Sequence, residues 1–185
     1  MTRSKTNEQA LESSIEKSLV GVTLEELKEQ GVTEPVEQYG NNKKFYLGLS
    51  NDFNKEYAID EKRFWHFLET TQAEELDKLK RDPQYKLKII QRLDRMIKKY
   101  GILKVLKKGL DVDDAHFVLM YVAPLSSSSQ EIKKRFNSNE FSITRQVCYS
   151  VANPLEEIDM VIFLNGLPII TMELRKRGQA RLFLI

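Results

Sequence analysis

An α+β fold is predicted, with a mainly antiparallel or mixed sheet flanked by helices. Three observations predict it. Up to Gly101 the apolar residues recur at helical spacing, and after Gly101 the period shortens toward two. The last long segment, IDMVIFLNGLPIITMELRK (158–176), sets an Asn165-Gly166 turn between two apolar runs. Helices first and strands later is the order of an α+β domain. With 185 residues and no internal repeat, residues 1–185 read as one domain with a sizeable core.

Taken in order, NEQALESSIEKSLV (7–20) is an amphipathic helix with Leu11, Ile15 and Leu19 on one stripe and Glu12 and Glu16 beside it. LEELKEQG (24–31) is a short helix ended by Gly31. Residues 32–60 are mixed, with an Asn41-Asn42 turn and KKFYLGL as a candidate strand. RFWHFLETT (63–71) is an apolar helix, in which Phe64, Trp65 and Phe67 belong to the core. Thr71-Gln72-Ala73-Glu74 has the spacing of a capping box for the next helix. Asp82-Pro83 offers an N-cap and a first-turn proline for another, whose stripe is Tyr85, Ile89, Leu93 and Met96-Ile97 and whose end is Gly101. Beyond it, ILKVLKKGL and HFVLMYVAP read as strands, and PLSSSSQEIKKRFNSNE as a polar loop with a helical turn. FSITRQVCYS is a strand with Phe141, Ile143, Arg145, Val147 and Tyr149 alternating on one face.

Composition excludes several classes. At 41% hydrophobic and 30% charged the chain is neither disordered nor membrane-spanning, and no apolar run approaches the ~18 residues of a membrane helix. MTRSKTNEQALESS lacks the apolar core of a secretory signal, and a lone Cys148 suits a reducing, cytoplasmic setting. His66, His116 and Cys148 do not make a zinc site. Net charge is +2, yet residues 81–108 hold ten Lys/Arg against two acids. That segment is a solvated helix face or a surface for a polyanion.

The hairpin carries the chemistry. Asp159 stands near its start and Glu173 near its end, with Arg175 on the same side of the strand as Glu173 and Lys176 on the other. A strict two-residue turn sets Asp159 and Glu173 on opposite faces; an odd-length connection or one β-bulge brings them together. Paired carboxylates repel unless a cation intervenes, and Mg²⁺ accepts one or two carboxylates while keeping water. Two solvated strand-end acids are the alternative.

NPLEEIDMVIFLNGLPIITMELRK (153–176) resembles the nuclease motif of the type I restriction enzyme R subunit, a branch of the PD-(D/E)xK nucleases. The resemblance extends through FWHFLETTQ, GILKVLKKGL, HFVLMYVAPLS and FNSNEFSITRQVCYS, in that order, and NEQALESSIEKSLV is similar to the family's opening helix. It implies a restriction-endonuclease-like mixed sheet and Mg²⁺-dependent hydrolysis of double-stranded DNA by a type I site-specific deoxyribonuclease. Asp159 and Glu173 match the metal-binding acids. Glu12, or else Glu16, matches the opening-helix acid. Arg175 stands where the family has lysine, keeping the charge but unable to act as a base. Arg145, Lys104, Lys107 and Lys108 are the candidate DNA contacts.

Two departures qualify the match. The chain continues as RKRGQARLFLI, with Phe183 where the family's Gln-x-x-x-Tyr element would have tyrosine after Gln179. No GxxxxGK[ST] loop occurs, so ATP is expected only in a full-length subunit and the motor domains are absent from this stretch. The implied partners are the methyltransferase (modification) and specificity subunits, with no membrane. A catalytically incomplete docking or DNA-binding domain of the same subunit is the second expectation, and a nucleic-acid-binding module with no restriction role is the third.

Overall fold

The computed structural model describes residues 3–35, 38–39, 45–150, 153, 156–175 and 179–184. The helices are α1 (Arg3–Val20), α2 (Leu24–Glu29), α3 (Glu61–Thr71), α4 (Ala73–Leu79), α5 (Tyr85–Tyr100), α6 (Ile102–Lys108) and α7 (Gln130–Asn137). The strands are β1 (Phe45–Leu47), β2 (Phe53–Asn54), β3 (Ile59–Asp60), β4 (Leu110–Val112), β5 (Ala115–Phe117), β6 (Phe141–Cys148), β7 (Glu157–Leu164), β8 (Leu167–Arg175) and β9 (Gln179–Leu184). The main sheet runs β1-β6-β7-β8-β9, with β1 parallel to β6 and every other pair antiparallel. The fold is α+β with a mixed sheet.

Among the described residues there are three apolar clusters: a small one of Val147, Val161 and Phe163, and two larger ones. Helices α3 to α6, the β4–β5 hairpin and the turn-end residues Leu164 and Leu167 form one. The other joins Leu11, Ile15, Leu19 and Val20 of α1 and Leu27 of α2 to Leu47, Ile143, Met160, Met172 and Leu174 of the sheet. The hairpin of β7 and β8 spans both, so its turn end belongs to the helical layer and its open end lies under α1.

Several local expectations change. Residues 102–108 form helix α6, not a strand: Ile102, Val105 and Leu106 are buried at helical spacing, between Gly101 (φ 79°) and Gly109 (φ 78°). Of HFVLMYVAP only His116 and Phe117 are strand, the last two residues of β5. The helical turn in the polar loop is the two-turn α7, capped by Ser129. No capping box forms at Thr71. Gln72 is the N-cap of α4, and its side-chain amide bridges Val118 by donating to its carbonyl at 2.9 Å and accepting its N–H at 2.7 Å. The reciprocal box forms two helices earlier, between Thr23, the N-cap of α2, and Glu26. Helix α5 starts two residues beyond Pro83, with Asp82 Oδ1 accepting from Gln84 N at 2.9 Å. The expected Asn41-Asn42 turn lies outside the described residues.

The junction between layers is built on Asp60 and Gly166. Asp60 N donates to Gly166 O at 2.9 Å, and Asp60 Oδ1 caps α3 by accepting from Arg63 N at 3.1 Å. The second oxygen lies 3.9 Å from Arg63 Nε, and no hydrogen-bond donor among the described residues reaches it. Burial therefore pushes the Asp60 carboxyl up to about 6, against the opposing hydrogen bond and charge of Arg63. A carboxyl raised in the folded state stabilises fully below its unfolded value, near 3.8, and that contribution is lost as pH rises through about 6. The shift corresponds to roughly 2–3 kcal/mol. Asp60→Asn keeps a good cap and has no charge to bury. The expected outcome is a urea midpoint that declines less between pH 4 and 7 in the variant than in the parent chain. Parallel profiles would exclude Asp60 as the source.

Candidate active site

The β7–β8 hairpin is closed by a two-residue turn with both central residues at positive φ, Asn165 at 51° and Gly166 at 80°. This is the type I′ geometry that suits the twist of antiparallel strands. Leu164 pairs with Leu167 and Phe163 with Pro168, but Ile162 pairs with Ile170. Ile169 is the extra residue of a β-bulge. Past the bulge, Val161 pairs with Thr171 and Met160 with Met172. The bulge shifts the register by one residue behind a strict turn, in the sense that a shared site for Asp159 and Glu173, the next residues along the two strands, requires.

Asp159 is also held there directly. Its Oδ2 accepts the Leu174 backbone N–H at 2.5 Å, so the carboxylate bridges from β7 to β8. It is partly buried, while Glu173 beside it is exposed. On the outer side β9 sets Arg181 opposite Glu173. Arg175 ends β8, and only its backbone is described; Lys176 lies outside the described residues.

The opening-helix acids approach from the other layer. Glu12 and Glu16 are one turn apart on α1 and both buried, at 4% and 1% exposure. Arg145 of β6 meets them: its Nε donates to Glu12 Oε2 at 2.9 Å and one terminal nitrogen to Glu16 Oε2 at 3.4 Å. The same nitrogen reaches both oxygens of Glu25, at 2.8 and 3.0 Å. Burial raises the Glu12 carboxyl above its ordinary value; Arg145 opposes this, and the charge of Asp159 adds to it. Glu16 is raised by burial too, against the Leu24 N–H that it accepts at 2.9 Å and the charge of Arg145. Glu12 is thus within electrostatic range of Asp159.

This placement bears on the expected DNA contacts. The Arg145 guanidinium is set among the carboxylates of Glu12, Glu16 and Glu25. Lys104, Lys107 and Lys108 share the exposed face of α6, with Lys104 Nζ 4.7 Å from the Tyr100 ring centroid. Helix α6 packs in the layer that meets Leu164 and Leu167. From Leu164 back to Asp159 is about 17 Å of strand. The lysines therefore stand off from the acids. The aromatic trio is core, as Phe64, Trp65 and Phe67 are buried. His66 faces Glu140 at 2.6 Å, and His116 faces Asp111 at 2.6 Å.

Sequence reasoning missed Asn165 as more than a turn residue. Its buried amide accepts from Glu140 N at 2.7 Å and donates to Leu119 O at 2.9 Å and Asn139 Oδ1 at 3.1 Å. Aspartate would suit the turn equally well but has no N–H to donate, and that difference was the available signal.

Among the described residues, no three His, Cys, Asp or Glu side chains gather as a metal cage. Carboxylate oxygens such as those of Asp159 and Glu173 are the ligand type that a hard divalent ion takes, one or two at a time.

With this geometry in place, comparison with known families gives one match. The family described as type I restriction enzyme R protein N terminus covers residues 54–182. The chain belongs to that family. The matched span of this R-protein N terminus includes Arg145, Asp159, Glu173 and Arg175; Glu12 and the rest of α1 lie outside it. No curated protein and no solved structure matches the chain. Membership ties it to a multi-subunit restriction system that acts on DNA. Among the described residues no helix is long and apolar enough to cross a membrane.

Proposed function

We propose that this R-protein N terminus is the nuclease domain of its subunit, hydrolysing DNA phosphodiesters with Mg²⁺ at Asp159 and Glu173. The observation that supports the reading is the bulge at Ile169, which shifts the register by the one residue that a shared Asp159–Glu173 site requires. The bound ion would supply Lewis-acid stabilisation of phosphate charge and activation of the attacking water. Asp159, anchored by the Leu174 amide, holds one ligand position rigidly, and Glu173 offers a second at the exposed rim. Alternation gives Arg175 the Glu173 side of β8, where its charge would serve the phosphate without accepting a proton. The modification and specificity subunits would direct the cut, and the lysine face of α6 would contact the duplex backbone without reading sequence.

The docking-domain reading is favoured by one feature, Arg175 in the lysine position. DNA affinity that is salt-dependent and indifferent to metal would support it.

Calorimetric titration with Mn²⁺ tests the nuclease reading. One site is expected on the unsubstituted chain, with affinity at least ~10-fold weaker in Glu173→Gln. No binding by either chain overturns the reading.

A further inference from the structure

We infer that His66 and Glu140 form a proton-operated latch between α3 and the hairpin turn, closed when the imidazole is charged and loosened as it loses its proton. The latch lies at the turn end of the hairpin and owes nothing to a metal at the open end.

Glu140 joins the two parts. Its backbone holds the turn: the N–H donates to Asn165 Oδ1 at 2.7 Å, and the carbonyl accepts the Asn165 N–H at 2.8 Å. Its buried side chain faces α3. There Oε1 meets His66 Nδ1 at 2.6 Å, while Oε2 lies 3.7 Å from a terminal nitrogen of Arg63 and has no hydrogen-bond partner among the described residues. Arg63 is committed elsewhere. Its other terminal nitrogen donates to Leu47 O at 3.1 Å, and its guanidinium lies 4.3 Å from the Tyr46 ring centroid. Among the described residues the His66 contact is therefore the one hydrogen bond to the Glu140 carboxylate. The turn is gripped from the other side by Asp60, whose N–H donates to Gly166 O, so both acids at the turn look toward the same Arg63.

A buried carboxylate is costly unless a donor or cation compensates it. Histidine is the side chain whose charge ordinarily changes between roughly pH 5 and 8. With the ring charged, the contact is a charge-assisted bond between two ions. With the ring neutral, Nδ1–H still donates, but the carboxylate keeps Arg63 alone as counter-charge, beyond hydrogen-bond distance. His66 is suited to the task by its position: its side chain is 58% exposed and trades protons with solvent, while Glu140 behind it is 8% exposed. Asp60 acts in the same sense. Its carboxyl, pushed up to about 6 by burial, lies 3.9 Å from the same Arg63 and gains its charge where an imidazole ordinarily sheds its proton. The other facing groups leave the direction unchanged. Asp52 adds negative charge, Lys62 opposes it but is paired with Glu34, and the Tyr46 hydroxyl is pushed further up by burial and the charge of Glu140. Rising pH thus leaves one guanidinium to answer two buried acids, and the grip on the turn weakens.

Amide hydrogen exchange followed by NMR on the full chain, at about pH 5.5 and about pH 7.5 and corrected for the intrinsic rate, provides the test. The amides of Asp60, Glu140 and Asn165 report the joint, and that of Leu93 in the buried stripe of α5 reports global opening. Asp60→Asn is the common background, which leaves His66 as the titrating group of the latch. The joint amides are expected to lose about fivefold more protection than Leu93 at the higher pH, the difference between a charged and a neutral hydrogen bond. His66→Gln keeps an N–H donor and never carries charge, whereas His66→Lys carries it at both pH values, so in each the excess loss should fall below about twofold. An excess loss that persists in His66→Gln or His66→Lys, or none with His66 in place, overturns the inference. Should one variant unfold, seen as lost Leu93 protection, the other decides on the same criterion.

Discussion

Asp159→Asn is expected to abolish divalent-ion binding while leaving the fold nearly intact. The two consequences separate because Asp159 has two jobs. As an anchor it accepts the Leu174 N–H, and an asparagine carbonyl accepts the same bond. The loss in stability should stay within about 1 kcal/mol, the difference between a charged and a neutral acceptor. As a ligand it supplies negative charge, which asparagine lacks. Partners behind a metal ligand already count for about 10–100-fold in affinity, so losing the ligand itself should cost at least ~100-fold. Mn²⁺ calorimetry and urea melts on the same preparation measure both. Retained binding would remove Asp159 from the ligand set; a loss of several kcal/mol would make it a structural anchor above all.

Gly166→Ala is expected to destabilise the chain by about 3 kcal/mol or more, among the largest effects of any single methyl group here. At φ 80° a side chain is strained in any surroundings. The surroundings are also closed: a Cβ would stand 2.5 Å from Asp60 O and 2.5 Å from Phe64 N. Both are backbone atoms at the start of α3, so no side-chain rotation relieves the contact. Urea denaturation gives the magnitude, and Gly101→Ala is the control, with a similar φ of 79° and open space around it. Equal losses in the two variants would show that backbone strain alone is responsible and that the turn is not wedged against α3.

Much of the architecture was legible because each signal was local. The stripe of α5, the strand at 141–148 and the Asn-Gly turn all declare themselves within a dozen residues. Elements that failed did so where local and tertiary preferences diverge. ILKVLKK satisfies both a short apolar run and an i, i+3, i+4 stripe, and packing against the helical layer decides for the helix. Gln72 had the wrong neighbour in view, since its partner Val118 is 46 residues away. At the site, the acids were visible as residue types in a greasy hairpin. The bulge that aligns them was not, because it arises from packing: Ile169 meets the helical layer, while its neighbour Ile170 meets α1. The ion cluster on Arg145 was equally hidden, joining positions more than a hundred residues apart.

The bulge makes the hairpin a counting device. Substitutions at most positions between the two acids leave the count of paired residues unchanged, and the bulge is the one residue that the count can lose. Deleting Ile169 would let the ladder run on regularly from the turn, with Ile162 still paired to Ile170 and Met160 to Met172. Deleting a second residue from the same stretch would set Glu173 opposite Met160 and turn Asp159 and Glu173 to opposite sides of the sheet, with neither carboxylate altered. For this hairpin, the number of paired residues between the acids is the quantity on which a site depends, and the bulge holds one residue in reserve.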